Sequence, residues 1–286
     1  MKMAVIGCGL IGGSMALSWK RAGIVDEVIA FGHNPATLQK ALDKGAADTV
    51  TTSMEEAVKD ADIVVSAVPV EAMESVFTEM APFLKSDAVV TDVGSTRQTV
   101  IAAARKGLGD KFHQYAPAHP IAGGEMPGVD YASADLFDEK VVISTPDEGM
   151  DPKVVTFIEE AWRKAGARVQ AMSPLQHDLT FASVSHLPHV LAYALVDMIA
   201  REENAQEKLK MAGAGFRDFT RIASSSPVMW RDICLFNREA LSHELKRYRA
   251  SLDTLQKYID ESDGKALESV FENAVRNRRG LVFPGK

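Results

Sequence analysis

The chain has 286 residues, 46% hydrophobic and 25% charged, which is the balance of a soluble globular protein of about two domains. Lys and Arg number 32 against 39 Asp and Glu, a net charge of −7, so no global field draws nucleic acid or an anionic membrane. Any anionic ligand must therefore be held by local positive groups. Cys8 and Cys234 are the only cysteines, too few for a disulfide framework. The N-terminal MKMAVIGCG lacks the basic and long apolar regions of a signal peptide, and no unbroken apolar run reaches transmembrane length. A cytoplasmic protein is expected.

The first half alternates β-rich runs with helical stretches. Met1–Ile6 is strand-like, Leu10–Ala22 helical, Glu27–Phe31 strand-like, and Pro35–Lys44 a helix that stops at Gly45. Further apolar, β-branched runs follow at Asp62–Pro69, Ala88–Gly94 and Lys140–Pro146. Such runs suit strands buried on both faces of a parallel sheet. Their alternation with helices predicts βαβ units in a Rossmann-type α/β domain. Residues 151–172 complete the pattern as a helix and a last strand of the same sheet. From Ser173 the strand signal fades. Leu175–Ala200 carries apolar residues at helical spacing, including Leu179, Val184, Leu187, Leu191, Leu195 and Ile199. Pro227–Ile259 and Lys265–Arg278 are helical by the same criterion, and Ser226 before Pro227 marks a helix start. The expected organisation is a dinucleotide-binding domain over 1–172 and an all-α substrate and dimerisation domain over 173–286. The apolar faces of the second half exceed what one small helical cluster buries, which suggests helix-on-helix dimerisation; an ordinary monomer core is the competing explanation.

The first chemical signal is GCGLIG at Gly7–Gly12. It fits GxGxxG directly after a strand and opens a helix, the context that gives the pattern meaning. Gly7 permits the tight turn, Gly9 lets backbone approach a pyrophosphate, and Gly12 lets helix pack on strand. Leu10 and Ile11 supply first-turn N–H groups and the positive end of the helix dipole. NAD enzymes usually carry an acid after the second strand for the ribose 2′-OH. Here that place reads Phe31, Gly32, His33, Asn34, Pro35, with no carboxylate to repel a 2′-phosphate and two side chains able to donate to one. NAD or NADP is therefore the cofactor, with a lean to NADP or dual use. Val68 and Pro69 end the third buried run, where the cofactor would cross the strand ends; a tightly packed strand end is equally compatible.

Reactive groups follow. Ser95, in TDVGSTR, sits at a strand's carboxyl end, where hydroxyls face the ligand crevice, although a helix N-cap is its commoner role. His119 lies in HPIAGGE, held out of α geometry by Pro120 and suited to general-base work near neutrality. Ser185, His186 and His189 cluster in SHLPH within one helical turn. A metal site is disfavoured there, because neither HExxH nor paired cysteines occur. Arg217 and Arg221, four apart, offer a bidentate clamp for a carboxylate or a surface salt bridge with Asp218. Trp230 follows in MWRD, a core or interface residue by default.

Together these pieces resemble the prephenate/arogenate dehydrogenase family of tyrosine biosynthesis: GCGLIGGS at Gly7–Ser14, DVGS at Asp92–Ser95, HPIAGGE at His119–Glu125, SHLPH at Ser185–His189, and FRDFTRIA with MWRDI at Phe216–Ala223 and Met229–Ile233. They occur in the family's order over most of the chain. The resemblance implies an NAD(P)-dependent oxidative decarboxylase and a homodimer intertwined through the helical domain. It implies that His119 hydrogen-bonds the substrate's ring hydroxyl, that Ser95 orients His119, and that Arg221 binds a substrate carboxylate. It further implies pocket roles for His189, Ser185, His186, Asp178, Trp230 and Glu125. Two departures stand out. Arg97 occupies a place where the family often has Lys, and the acid expected near His33 is missing. With no mutase segment before Met1 and no regulatory domain after Lys286 expected, tyrosine feedback would act at the active site or dimer interface. A β-hydroxyacid-type dehydrogenase, which would use a Lys base, and a non-catalytic dinucleotide sensor are the rival readings.

Overall fold

The computed structural model describes residues 1–124 and 126–281. The N-terminal half is built from β1 (Lys2–Ile6), α1 (Leu10–Arg21), β2 (Glu27–Phe31), α2 (Pro35–Asp43), β3 (Thr49–Thr51), α3 (Met54–Val58), β4 (Ile63–Ser66), α4 (Met73–Met80), β5 (Val89–Asp92), α5 (Gln98–Leu108) and β6 (Tyr115–Ala116). The six strands form one parallel sheet in the order β3-β2-β1-β4-β5-β6. Ala4, Val5, Ile63, Val64 and Val90 have no solvent exposure, which is why the strands read as continuous apolar runs. The order reverses between β1 and β4. Ligands of such sheets bind in the crevice at that point, beyond the strands' carboxyl ends.

One expectation about the sheet is overturned. The strands predicted at Lys140–Pro146 and at the end of 151–172 do not extend the large sheet. They are β8 (Val141–Ser144) and β9 (Arg168–Ala171), joined through α6 (Pro152–Lys164), and they form a separate sheet with β7 (Ala118–Pro120). β7 pairs antiparallel with β8, and β8 pairs parallel with β9. Pro117, between β6 and β7, has no N–H to continue the first ladder, so the chain leaves the large sheet and starts the second. This small sheet carries His119, opposite Ile143.

The C-terminal half is helical throughout: α7 (Pro174–Phe181), α8 (Leu187–Ala200), α9 (Ala205–Lys210), α10 (Ala214–Thr220), α11 (Pro227–Phe236), α12 (Arg238–Asp260) and α13 (Gly264–Gly280). Ser226 caps α11 as its position before a proline suggested, its side chain accepting from Met229 N–H. The stretch expected as one helix from Pro227 breaks at Asn237, which has other duties described below. Between α7 and α8 the chain makes a π turn over Ala182–His186, with Leu187 N–H reaching back to Ala182 O. Pro188 lacks the N–H that α geometry needs there, and a widened turn absorbs the loss. The stretch Pro174–Ala200 is long and apolar enough to cross a membrane by length and composition, its most apolar 18 residues having a mean hydropathy of 1.4. Yet His177, Asp178 and His186 within it are buried inside the protein.

Few apolar side chains of this half are covered within one chain. α13 has no buried residue and α12 only Leu241. Leu179, Val184, Met198, Leu235 and Phe271 are all exposed. An ordinary monomer core therefore does not account for the apolar faces.

Candidate active site

The glycine loop has the geometry that its spacing suggested. Gly7 lies at φ +94°, and a Cβ there would sit 2.7 Å from Ala67 O; one on Gly12 would sit 2.5 Å from Gly7 O. Neither position admits another residue without a backbone shift. A Cβ on Gly9 meets nothing within 4 Å, so that side of the loop is open. No side chain caps the start of α1, which leaves its first-turn N–H groups for a ligand. This cradle fits a dinucleotide pyrophosphate. Val68 flanks Gly7 and Pro69 is exposed beyond it. At the end of β2, His33 is exposed and meets Phe31 edge-on at 5.2 Å between ring centroids. Asn34 Oδ1 accepts from Ala36 N–H at 2.9 Å and caps α2. Gly124 lies over Leu10, with a Cβ there 3.4 Å from Leu10 Cδ2. The loop after His119 thus reaches the Leu10 side chain at the start of α1. Glu125 lies outside the described residues.

Behind the crevice is a buried polar network. Arg97 is fully buried and holds Asp92 bidentately, both N–O distances being 2.8 Å. The same guanidinium donates to Gly94 O at 2.7 Å and to Ala118 O at 3.3 Å, beside His119, and Tyr115 O–H donates to Asp92. Burial alone would lower the Arg97 pKa, but Asp92 and Tyr115 outweigh it and hold it above its ordinary value. The charge at position 97 is thus spent on the core and does not face the crevice.

From this anchor a chain of contacts leads to His119. Asp178, on α7, accepts the backbone N–H of Arg97 at 2.8 Å and of Gln98 at 3.0 Å, plus Gln98 Nε2 at 3.3 Å. It also takes His177 Nδ1 at 2.9 Å. Burial would raise its pKa; the His177 bond and the two backbone donors hold it below the usual carboxylate value. With both oxygens engaged, Asp178 organises the site rather than presenting a free carboxylate to substrate. His177 Nε2 then lies 2.8 Å from His119 Nδ1. Phe181 stacks on the His177 ring at 4.4 Å and meets His119 at 5.1 Å. His119 is 9% exposed, and its pKa is pushed well below the ordinary value, first by burial and then by His177, Arg97 and His186.

Ser95 is half-buried in the loop after β5. It is not the N-cap of α5, since Arg97 holds that place. Among the described residues the His119 Nδ1 partner is His177, not Ser95. His186 is buried, takes Asn237 Nδ2 at Nδ1 at 3.1 Å, and is pushed down to about 4 by burial and by His177. Asn237 also donates to Asp178 O at 2.8 Å, which explains the helix break there. His189 Nδ1 donates to Ser185 O at 2.9 Å, and its ring stacks on Trp230, 3.7 Å between centroids. Burial lowers the His189 pKa and the Arg221 charge lowers it further. Arg221 opens a short 3₁₀ turn, Arg221–Ser224, beside α8. Trp230 lies beside both histidines, 6.1 Å from the His186 ring and 3.7 Å from that of His189. Arg221 is exposed, as is Arg217, which lies 3.7 Å from Asp218.

Sequence reasoning missed His177, Asn237 and the Asp92–Tyr115–Arg97 group. For His177 the one available signal was its place beside Asp178 on a helix opened by Ser173 and Pro174.

A dinucleotide cradle at the switch point, faced by a buried histidine and a helical half, defines a two-domain nicotinamide-dependent dehydrogenase. The family model for the prephenate dehydrogenase nucleotide-binding domain matches residues 15–171, and that for the prephenate dehydrogenase dimerization domain matches 173–273. The chain belongs to the prephenate dehydrogenase family. It is similar to a cyclohexadienyl dehydrogenase of Zymomonas mobilis, 36% identical over 98% of this chain and 95% of the relative. It is similar to a prephenate dehydrogenase of Bacillus subtilis, 35% identical over 98% of this chain and 76% of the relative. Among solved structures it resembles the prephenate dehydrogenase of A. aeolicus in complex with hydroxyphenyl propionate and NAD+, at a TM-score of 0.90 and 34% identity, covering 98% of each chain.

Proposed function

We propose that the chain carries out NAD(P)-dependent oxidative decarboxylation of a cyclohexadienyl substrate in tyrosine biosynthesis: prephenate to 4-hydroxyphenylpyruvate, or arogenate to tyrosine. The substrate carries a ring carboxylate opposite a hydroxyl-bearing carbon. Loss of hydride from that carbon and of CO₂ leaves an aromatic ring, and the hydroxyl proton that is drawn off as hydride departs returns to the phenolate oxygen once the ring has aromatised. Nicotinamide supplies the hydride acceptor, and the glycine loop with Val68 and Pro69 would hold the dinucleotide. His119 takes the hydroxyl proton. Its burial keeps it neutral and able to do so. Ser95, half-buried in the loop after β5, would share that hydroxyl, as the family resemblance implies. Arg221 engages a carboxylate, with His189, Ser185, His186 and Trp230 forming the wall between it and His119. Fixing the substrate this way supplies orientation. The carrying observation is His119 itself: a buried imidazole whose following loop reaches Leu10 at the start of the helix that opens from the glycine loop.

The absence of a carboxylate at the end of β2 favours NADP or dual use. The apolar faces that one chain leaves uncovered support a homodimer through the helical half, with residues 1–172 and 173–286 as the functional division, in a cytoplasmic enzyme. The test is to incubate purified protein with prephenate or arogenate and with NAD+ or NADP+, following the absorbance of the reduced nicotinamide. Turnover in at least one pairing is expected. No signal in any of the four overturns the proposal, and the ratio of kcat/KM values for the two dinucleotides decides the cofactor.

A further inference from the structure

We propose that His177 is a positioning residue of this reaction: with Asp178 it locks His119 in the tautomer that carries its proton on Nδ1 and leaves the Nε2 lone pair for the substrate hydroxyl. The inference rests on the reaction proposed above and goes one residue beyond it.

The argument is one of donors and acceptors. Asp178 receives three donors from Arg97 and Gln98. An ionised carboxylate only accepts, so the nitrogen facing it, His177 Nδ1 at 2.9 Å, carries the proton. A neutral imidazole has one N–H and one lone pair, and burial disfavours the charged form of His177. His177 Nε2 is therefore an acceptor. Its neighbour at 2.8 Å, His119 Nδ1, must be the donor. His119 is likewise held neutral, so its lone pair falls on Nε2.

The relay is held from three sides. Phe181 stacks against His177. Asn237 Nδ2 donates to the backbone of Asp178 at 2.8 Å. The N–H groups at the start of α5 fix the carboxylate. His177 is wholly buried behind His119, so its influence passes through the His119 ring. The relay also joins the halves: its base lies on β7, its orienting pair on α7, and its anchor on α5.

When the hydroxyl proton moves to Nε2, His119 becomes a cation, and its Nδ1–H bond to His177 turns into a charge-assisted one. Asp178 stays ionised and the proton count is unchanged. The same bond thus selects the tautomer before the step and stabilises the imidazolium after it.

The test has two readouts. In protein labelled with ¹⁵N-histidine, nitrogen chemical shifts report the His119 tautomer directly: Nδ1 protonated and Nε2 bare in the wild type, mixed or reversed in His177→Leu. Kinetically, His177→Leu lowers kcat by roughly 10–100-fold, less than loss of the base itself, with substrate KM and dinucleotide affinity within about twofold. His177→Gln, whose amide can accept from His119 and donate to Asp178, restores most of the rate. A wild-type His119 protonated on Nε2 overturns the inference even if no variant folds. So does a folded His177→Leu enzyme with wild-type kcat. Absence of diene turnover in the wild type with the Nδ1–H tautomer intact defeats the reaction assignment alone.

Discussion

Replacing Arg97 by Met removes the positive half of an ion pair in which neither side chain has any solvent exposure. The Asp92 carboxylate would keep only the Gly94 N–H at 2.7 Å and the Tyr115 hydroxyl. The carbonyls of Gly94 and Ala118 would lose a charged donor. Stranding one partner of a buried pair costs about 3–5 kcal/mol, mostly the penalty of an uncompensated charge. That is a large part of the roughly 5–15 kcal/mol by which domains are stable. If stranded charge is the cause, removing it should help: Asp92→Asn added to Arg97→Met should recover at least about half the loss. Urea unfolding of wild type, single and double variants at one protein concentration measures both quantities. A single-variant loss under about 1 kcal/mol, or a double variant worse than the single, would refute the reasoning.

Three further outcomes follow from the geometry. Gly9→Ala leaves urea stability nearly unchanged, because its Cβ meets no protein atom, yet weakens dinucleotide binding at least tenfold, whereas Gly12→Ala, 2.5 Å from Gly7 O, destabilises the fold itself; titration calorimetry and unfolding curves separate the two. His119→Asn, folded as judged by circular dichroism, loses at least about 10² in kcat, and activity within a few-fold of wild type would remove it from the base role. His186 binds fewer protons folded than unfolded between its ordinary 6.5 and about 4, so stability falls as pH drops through that window. The loss is on the order of 2 kcal/mol by pH 5 from His186 alone, with His119, His177 and His189 acting in the same direction; an unfolding midpoint at pH 5 equal to that at pH 7 contradicts it.

The large sheet was legible because its strands are buried on both faces and its first turn demands glycine at Gly7 and Gly12. The strands β8 and β9 were legible but their separate sheet was not, because β7 is three residues long, follows Pro117 and ends at Pro120, and looks like loop. His119 was legible from the glycine-rich segment after it. His177 was not: a helix-borne histidine resembles an ordinary core residue, and its meaning comes from His119, 58 residues away, and from Asp178, itself tied to Gln98 80 residues away. Arg97 illustrates the converse. A charge beside a reactive serine suggests ligand binding, whereas its guanidinium turns inward to Asp92.

The most direct test of the chemistry uses substrate deuterated at the hydroxyl-bearing ring carbon. Transfer of the label to the reduced nicotinamide is expected, with one CO₂ released per nicotinamide reduced. Release of CO₂ without reduction, or label lost to water, would show that the ring aromatises by another route and that His119 and the dinucleotide cradle do not act on one carbon.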